Sequence, residues 1–271
     1  MQIDFREYKL LVNHGPFADP LEAVKAIWAE IEEAVRPLPL VRTGGKPDEI
    51  ESRTISFFDT PDHALRRNGL VLRRRTANAA LEYTLKCRSE DRYIAAGTDV
   101  SPADGLKAKP KLEEDIAPPF FCRLSNSATI LINGKRKSPS VTTLATLGKA
   151  TALFPLLRTL HTEGQPYAPE TPLAVVNNIT VDETVWKGSS LIFEQERGGK
   201  PETATLALIL WTRGQPAIAE LSFRIKESED RFSRSLAQTA RSLYTQFQRL
   251  DCARRDGMTK TEYIYRDATR D

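Results

Sequence analysis

Two neighbouring runs in the first third of the chain alternate with a period of two residues. Side chains two apart on an extended strand share a face. In residues 69–75, Val71, Arg73 and Arg75 fall on one face, with Leu70, Leu72 and Arg74 on the other. In residues 82–88, Glu82, Thr84, Lys86 and Arg88 fall together, opposite Tyr83, Leu85 and Cys87. Each predicted strand thus has one cationic and one apolar face. The apolar faces must meet covering helices, so the cations line the concave side of the sheet if that sheet closes.

The rest of the chain follows the same logic. Residues 3–12 alternate as an opening strand with Phe5, Glu7 and Lys9 on one face. Asp19-Pro20 is a helix start, and Leu21, Val24, Ile27, Trp28, Ile31 and Val35 recur at helical spacing behind it. Residues 36–50, with three prolines and Gly44-Gly45, read as a connector, and residues 51–58 return to strand. After a loop at 102–110, residues 111–116 place Lys111, Glu113 and Asp115 on one face before Pro118-Pro119.

Residues 120–172 carry the weakest pattern: a short strand at 128–132, a basic turn at 133–139 with Lys135-Arg136-Lys137, and a loosely helical stretch at 141–160. Strands follow at 173–185, 190–195, 203–211 and 217–226. In the last, Glu220, Ser222, Arg224 and Lys226 face one way. Phe232, Leu236, Leu243, Tyr244, Phe247 and Leu250 mark an amphipathic helix, and a polar tail follows that ends in a candidate strand at 260–265.

Composition narrows the class. The 271 residues are 40% hydrophobic, enough to bury one sizeable core, and one domain over 1–271 is expected. No apolar run is long enough for a bilayer, and the N-terminus is polar and charged, so a cytoplasmic location is expected. A net charge of +3 points to neither nucleic acid nor membrane, and any anion binding must come from local placement. Cys87, Cys122 and Cys252 lack metal-type spacing and read as free thiols. His14, His63 and His161 show no paired spacing, and no phosphate loop or nucleophile elbow is present.

Phe57-Phe58-Asp59-Thr60-Pro61-Asp62, followed by Leu65 and residues 69–75, resembles the aromatic-Asp-Thr-Pro-Asp and Leu-Arg-x-Arg elements of the CYTH, or triphosphate tunnel metalloenzyme, superfamily. Residues 81–86 are similar to its next Leu-x-Leu-Lys strand. The resemblance implies an α+β fold: a closed antiparallel β-barrel of about eight strands with flanking α-helices, its charged faces turned into a tunnel. It implies Mg²⁺- or Mn²⁺-dependent hydrolysis of a triphosphate or polyphosphate, with nucleotide cyclisation less favoured. By the same resemblance, Glu7, Lys9 and Glu113 are catalytic. Lys9, Arg73, Arg75, Lys86, Arg88 and Lys111 bind phosphate, and Glu7, Glu113, Asp115, Glu196 and Glu220 serve the metal.

The chain departs from that pattern in its carboxylates. Phe5 stands at the first position of the family's Glu-x-Glu-x-Lys, and Ser222 and Arg224 replace two carboxylates of its Glu-x-Glu-x-Glu strand. Arg224 adds a positive charge where a divalent ion would sit. Three readings stay open: a triphosphatase with a weakened metal site, a non-catalytic module that binds polyphosphate, nucleotide or another anion, and a barrel without a ligand. The expected partner is a small phosphorylated anion, with homodimerisation open, and neither nucleic acid nor membrane.

Overall fold

The computed structural model describes residues 2–13, 19–45, 47–78, 80–132, 144–187, 190–194, 200–212, 216–226 and 233–266. Strand β1 (Phe5–Val12) leads to helix α1 (Pro20–Val35), which Asp19 caps by accepting from the Leu21 and Glu22 amides. The predicted connector contains strand β2 (Val41–Gly44) and the start of β3 (Asp48–Asp59). A single turn, α2 (Ala64–Arg67), precedes β4 (Leu70–Ala77) and β5 (Ala80–Ser89). Then come α3 (Arg92–Gly97), β6 (Lys111–Ala117), β7 (Phe121–Ile132), α4 (Leu147–Thr151), a 3₁₀ turn at Pro155–Thr159 and the small hairpin β8 (His161–Thr162) and β9 (Gln165–Pro166). Strands β10 (Ala174–Lys187), β11 (Ser190–Phe193), β12 (Glu202–Thr212) and β13 (Pro216–Lys226) are followed by helices α5 (Arg234–Phe247) and α6 (Lys260–Arg266).

Nine strands close into a ring in the order β10, β3, β4, β5, β7, β6, β1, β13, β12, with β12 pairing back onto β10. Strands β11 and β2 extend from β12 outside the ring. The closed α+β barrel with flanking helices is therefore present, with two differences from expectation. It has nine strands, not about eight, and it is mixed, because β1 and β6 run parallel while every other ring pair is antiparallel. About one hundred residues separate those two strands in sequence, which leaves ample chain for the crossover that parallel pairing needs.

Gly69 fixes where β4 begins. Its φ is +67°, and a Cβ there would stand 2.7 Å from the Arg88 carbonyl oxygen, so no larger residue fits without moving backbone. The Asp-Thr-Pro-Asp segment has an equally local role. Asp59, buried, accepts hydrogen bonds from the amides of Thr60, Leu65 and Arg66 and from the Tyr265 hydroxyl. It ties the end of β3, the turn α2 and the last helix together.

Apolar outer faces are covered on two sides. Tyr8, Leu10, Leu221 and Phe223 pack beneath α1 and α5, with the Tyr8 and Phe223 rings stacked at 4.5 Å. Leu70, Leu72, Tyr83, Leu85 and Ile130 pack beneath residues 144–160, including Leu147, Phe154 and Leu157. The described parts of the poorly patterned 120–172 region thus form a full barrel strand, β7, and an outer cover for the β4, β5 and β7 wall.

A third cluster, with Leu11, Phe57, Trp211 and Ile218 of the barrel against Ile264 and Tyr265, seats α6 across one end of the ring. Residues 260–265, expected to be a strand, are helical. Thr259 and Glu262 form a reciprocal cap: the Thr259 amide donates to Glu262 Oε2 at 2.7 Å and the Glu262 amide to Thr259 Oγ1 at 3.2 Å. Glu196 and the basic cluster Lys135-Arg136-Lys137 lie outside the described residues. No helix among those described is long and apolar enough to cross a membrane.

Candidate anion-binding tunnel

The ring encloses a cavity of about 550 Å³. The alternation places Val71, Arg73 and Arg75 of β4 and Thr84, Lys86 and Arg88 of β5 on its wall, as read from the sequence. Glu7, Lys9, Lys111, Glu113, Asp115 and Glu220 line the same cavity, so every described residue singled out for a site is brought to one place. Lys111 and Arg224 are more exposed than the rest and stand toward the open end.

The charges are distributed unevenly around this lumen. Among the described residues, twelve Lys and Arg side chains and five Glu and Asp side chains line it, an excess of seven positive charges. All five carboxylates, Glu7, Glu113, Asp115, Glu183 and Glu220, come from β1, β6, β10 and β13, while β4, β5 and β7 contribute cations and hydroxyls.

On the mixed side the charges pair with each other. Lys9 Nζ lies 2.7 Å from Asp115 Oδ1 and 3.2 Å from Glu7 Oε2. Burial works against its charge, but Asp115, Glu7, Glu220 and Glu113 outweigh that and raise its pKa. Lys86 Nζ is 3.3 Å from Glu113 Oε2 and 3.7 Å from Asp115 Oδ2. There burial, helped by Lys9 and Arg88, prevails over the two carboxylates and lowers the pKa. Asp115 also accepts from Ser125 Oγ at 3.2 Å and is held well below the usual carboxylate range by Lys86, Lys9 and Arg88, against the opposing pull of burial.

On the cationic wall Arg73 and Arg88 have no such ion pair among the described residues. Arg73 makes one long hydrogen bond, Nη2 to Thr84 Oγ1 at 3.4 Å, and its buried Nε has no partner. Burial first, then the Arg75 guanidinium, push its pKa well below the usual arginine range. Arg88 donates to Thr261 Oγ1 at 3.1 Å, and its Nε is also unpartnered. Guanidinium donors left without acceptors are a standing free-energy cost that an anion would relieve.

Sequence reasoning missed a buried hub at the inner end. Glu183, 0% exposed, accepts from Trp211 Nε1 at 2.7 Å and lies 2.5 Å from Arg53, 3.7 Å from Arg75 and 3.9 Å from Lys260 Nζ. Burial would raise its pKa, yet Lys260, Arg75, Arg53 and the Trp211 hydrogen bond bring it down to about 2. Lys260, carried in by α6, also pairs with Glu220 at 3.0 Å and stands over the Trp211 ring. Its signal was the Thr-x-x-Glu cap at residues 259–262. Glu183 had none, since a lone acid in an apolar strand reads as a solvated position.

The described residues do not fit a divalent ion held by the protein. Among those described, no three His, Cys, Asp or Glu side chains converge with metal-binding geometry. Glu7, Glu113, Asp115 and Glu220 are each engaged by a lysine. Arg224 stands opposite Glu7 in the β1–β13 register, and its guanidinium lies 4.5 Å from the centre of the Phe5 ring. Two of the expected carboxylate positions are thus occupied by a stacked cation and ring.

Fold and site together define a closed β-barrel with its charged faces turned inward. No family model and no curated protein matches the chain. Among solved structures it is similar to an adenylyl cyclase candidate from Hippeastrum described as having a dominant triphosphatase activity, at 14% identity and a TM-score of 0.45, covering 98% of this chain and 96% of that one. It is also similar to adenylate cyclase candidates from Bacillus halodurans (14% identity, TM-score 0.36, 90% and 91% covered) and Vibrio parahaemolyticus (12%, 0.39, 97% and 99%). Likenesses this distant leave the architecture to be argued from the strands themselves.

Proposed function

We propose that the tunnel binds the phosphate chain of a triphosphate or polyphosphate along the β4, β5 and β7 wall. The observation that carries this reading is Arg73: a guanidinium deep in the lumen, beside Arg75 and Arg88, with no carboxylate partner among the described residues. Planar guanidinium forks match the paired oxygens of successive phosphoryl groups. Arg73, Arg75, Lys86, Arg88 and Lys9 form the phosphate side, and Lys111 extends it toward the opening. Titration calorimetry with inorganic tripolyphosphate tests this directly. Binding that weakens with added salt is expected; no heat at any concentration returns the barrel to a scaffold without a ligand.

Hydrolysis is the second reading, favoured by Glu7, Glu113 and Asp115 lying beside Lys9 and Lys86 in the same lumen. A carboxylate there would accept a proton from water as its oxygen bonds to phosphorus and the bridging P–O bond breaks. Phosphate release from tripolyphosphate, ATP and thiamine triphosphate decides it. Turnover above roughly 1 per second would make the protein an enzyme, and its absence leaves a binding module.

A further inference from the structure

We propose that the Phe5–Arg224 pair stands in for a divalent ion, so that the tunnel takes its polyphosphate free of metal. The inference rests on the binding reading above. Phe5 pairs with Glu113 across the parallel β1–β6 seam, and Arg224 faces Glu7 across β1–β13, so ring and guanidinium sit where the carboxylate-lined strands meet. The guanidinium carbon lies 4.5 Å from the centre of the Phe5 ring, within reach of its π face. No ion pair engages Arg224 among the described residues, and it lines the cavity. It is a fixed positive charge with donors to spare.

The remaining carboxylates reinforce this. Lys9 already bridges Glu7 and Asp115, and Lys86 lies between Glu113 and Asp115. A divalent ion would have to displace an ammonium to reach them. The ligand side of the balance points the same way. Magnesium cancels two of the charges on a triphosphate and brings tightly held water with it. The complex is therefore a poorer match for a lumen with seven surplus cations than the free polyanion. Magnesium in solution then competes with the protein for the ligand.

The test is calorimetric titration of the wild-type protein with inorganic tripolyphosphate, once in chelator and once with saturating Mg²⁺. Affinity equal to or lower than the chelator value in Mg²⁺ is the expected result, and affinity higher in Mg²⁺ overturns the proposal. Binding only with Mg²⁺ leaves the anion reading standing and removes the stand-in role; no binding in either condition removes both. Arg224→Met is expected to lower affinity in chelator about tenfold, the loss of one charge-assisted contact, and an unchanged affinity counts against the proposal. In Phe5→Glu/Arg224→Glu the dependence should invert, with Mg²⁺ tightening binding.

Discussion

Replacing Arg73 with methionine should weaken anion binding and, at the same time, stabilise the ligand-free protein. Methionine keeps most of the side-chain length, so little cavity is created, while a guanidinium whose Nε is buried and unpartnered is removed. Relief of one uncompensated polar group beside Arg75 is worth about 1–2 kcal/mol, discounted because the outer nitrogens still meet lumen water. For a chain of this size that raises the melting temperature by about 2–4 °C per kcal/mol. The ligand-bound protein behaves in the opposite way. Loss of a forked charge-assisted contact removes about 1.5–3 kcal/mol, or roughly tenfold to a hundredfold in affinity. Wild-type protein at a hundredfold excess of tripolyphosphate over its dissociation constant gains about 2.7 kcal/mol, and the variant at the same concentration gains only about 0.4–1.4 kcal/mol. Paired thermal melts with and without tripolyphosphate read both effects. A variant that melts lower than wild type without ligand, or keeps the full ligand shift, would refute the view that Arg73 is an anion site left uncompensated in the fold.

Further outcomes follow from the same geometry. Arg74→Met alters the outer face of the same strand, where the guanidinium lies over Phe58, and should leave tripolyphosphate affinity unchanged in the same titration. Glu183 has a folded pKa of about 2 against an ordinary 4.5, so its stabilisation, about 3 kcal/mol, is complete above about pH 4.5 and lost as pH falls toward about 2. Glu183→Gln should therefore lose stability near pH 7 and approach wild type in acid, a convergence that urea melts across that range would detect. Tyr265→Phe removes one of four hydrogen bonds to buried Asp59 and should cost about 1–2 kcal/mol, seen as a lower melting temperature with tripolyphosphate affinity retained.

The lumen was legible where alternation was strict. On β4 and β5 the apolar partners Leu70, Leu72, Tyr83 and Leu85 mark the outer face, so Arg73, Arg75, Lys86 and Arg88 could be assigned together to the other face from pattern, while closure of that face into a ring was what the resemblance implied. β7 was obscured because Ser125, Asn126 and Ser127 are buried polar residues in mid-strand, and they interrupt the apolar run that marks a core strand. Asn126 Nδ2 donates to the Thr98 carbonyl, a contact made by a loop that no strand pattern announces. Residues 260–265 misled in the other direction. Their short Tyr-Ile-Tyr run suits a strand, but a cap of two side chains decides for a helix, and with it Lys260 enters the cavity. Arg53 and Glu183 are invisible singly, because a buried ion pair between distant strands exists only once the register is set.

The parallel seam between β1 and β6 has a cause that no individual side chain supplies. Around a loop with an odd number of members, an up-and-down alternation must fail somewhere, as it does for spins on an odd magnetic ring, and nine strands require one such fault. Here the fault falls between two strands whose lumen charges pair across it. Because both ascend together, Glu7 draws level with Asp115, and Lys9, one step further along, bridges them. Parity thus requires a parallel seam in this ring, and the register of this one sets the acid pair side by side; an eight-membered barrel would have been under no obligation to contain such a seam.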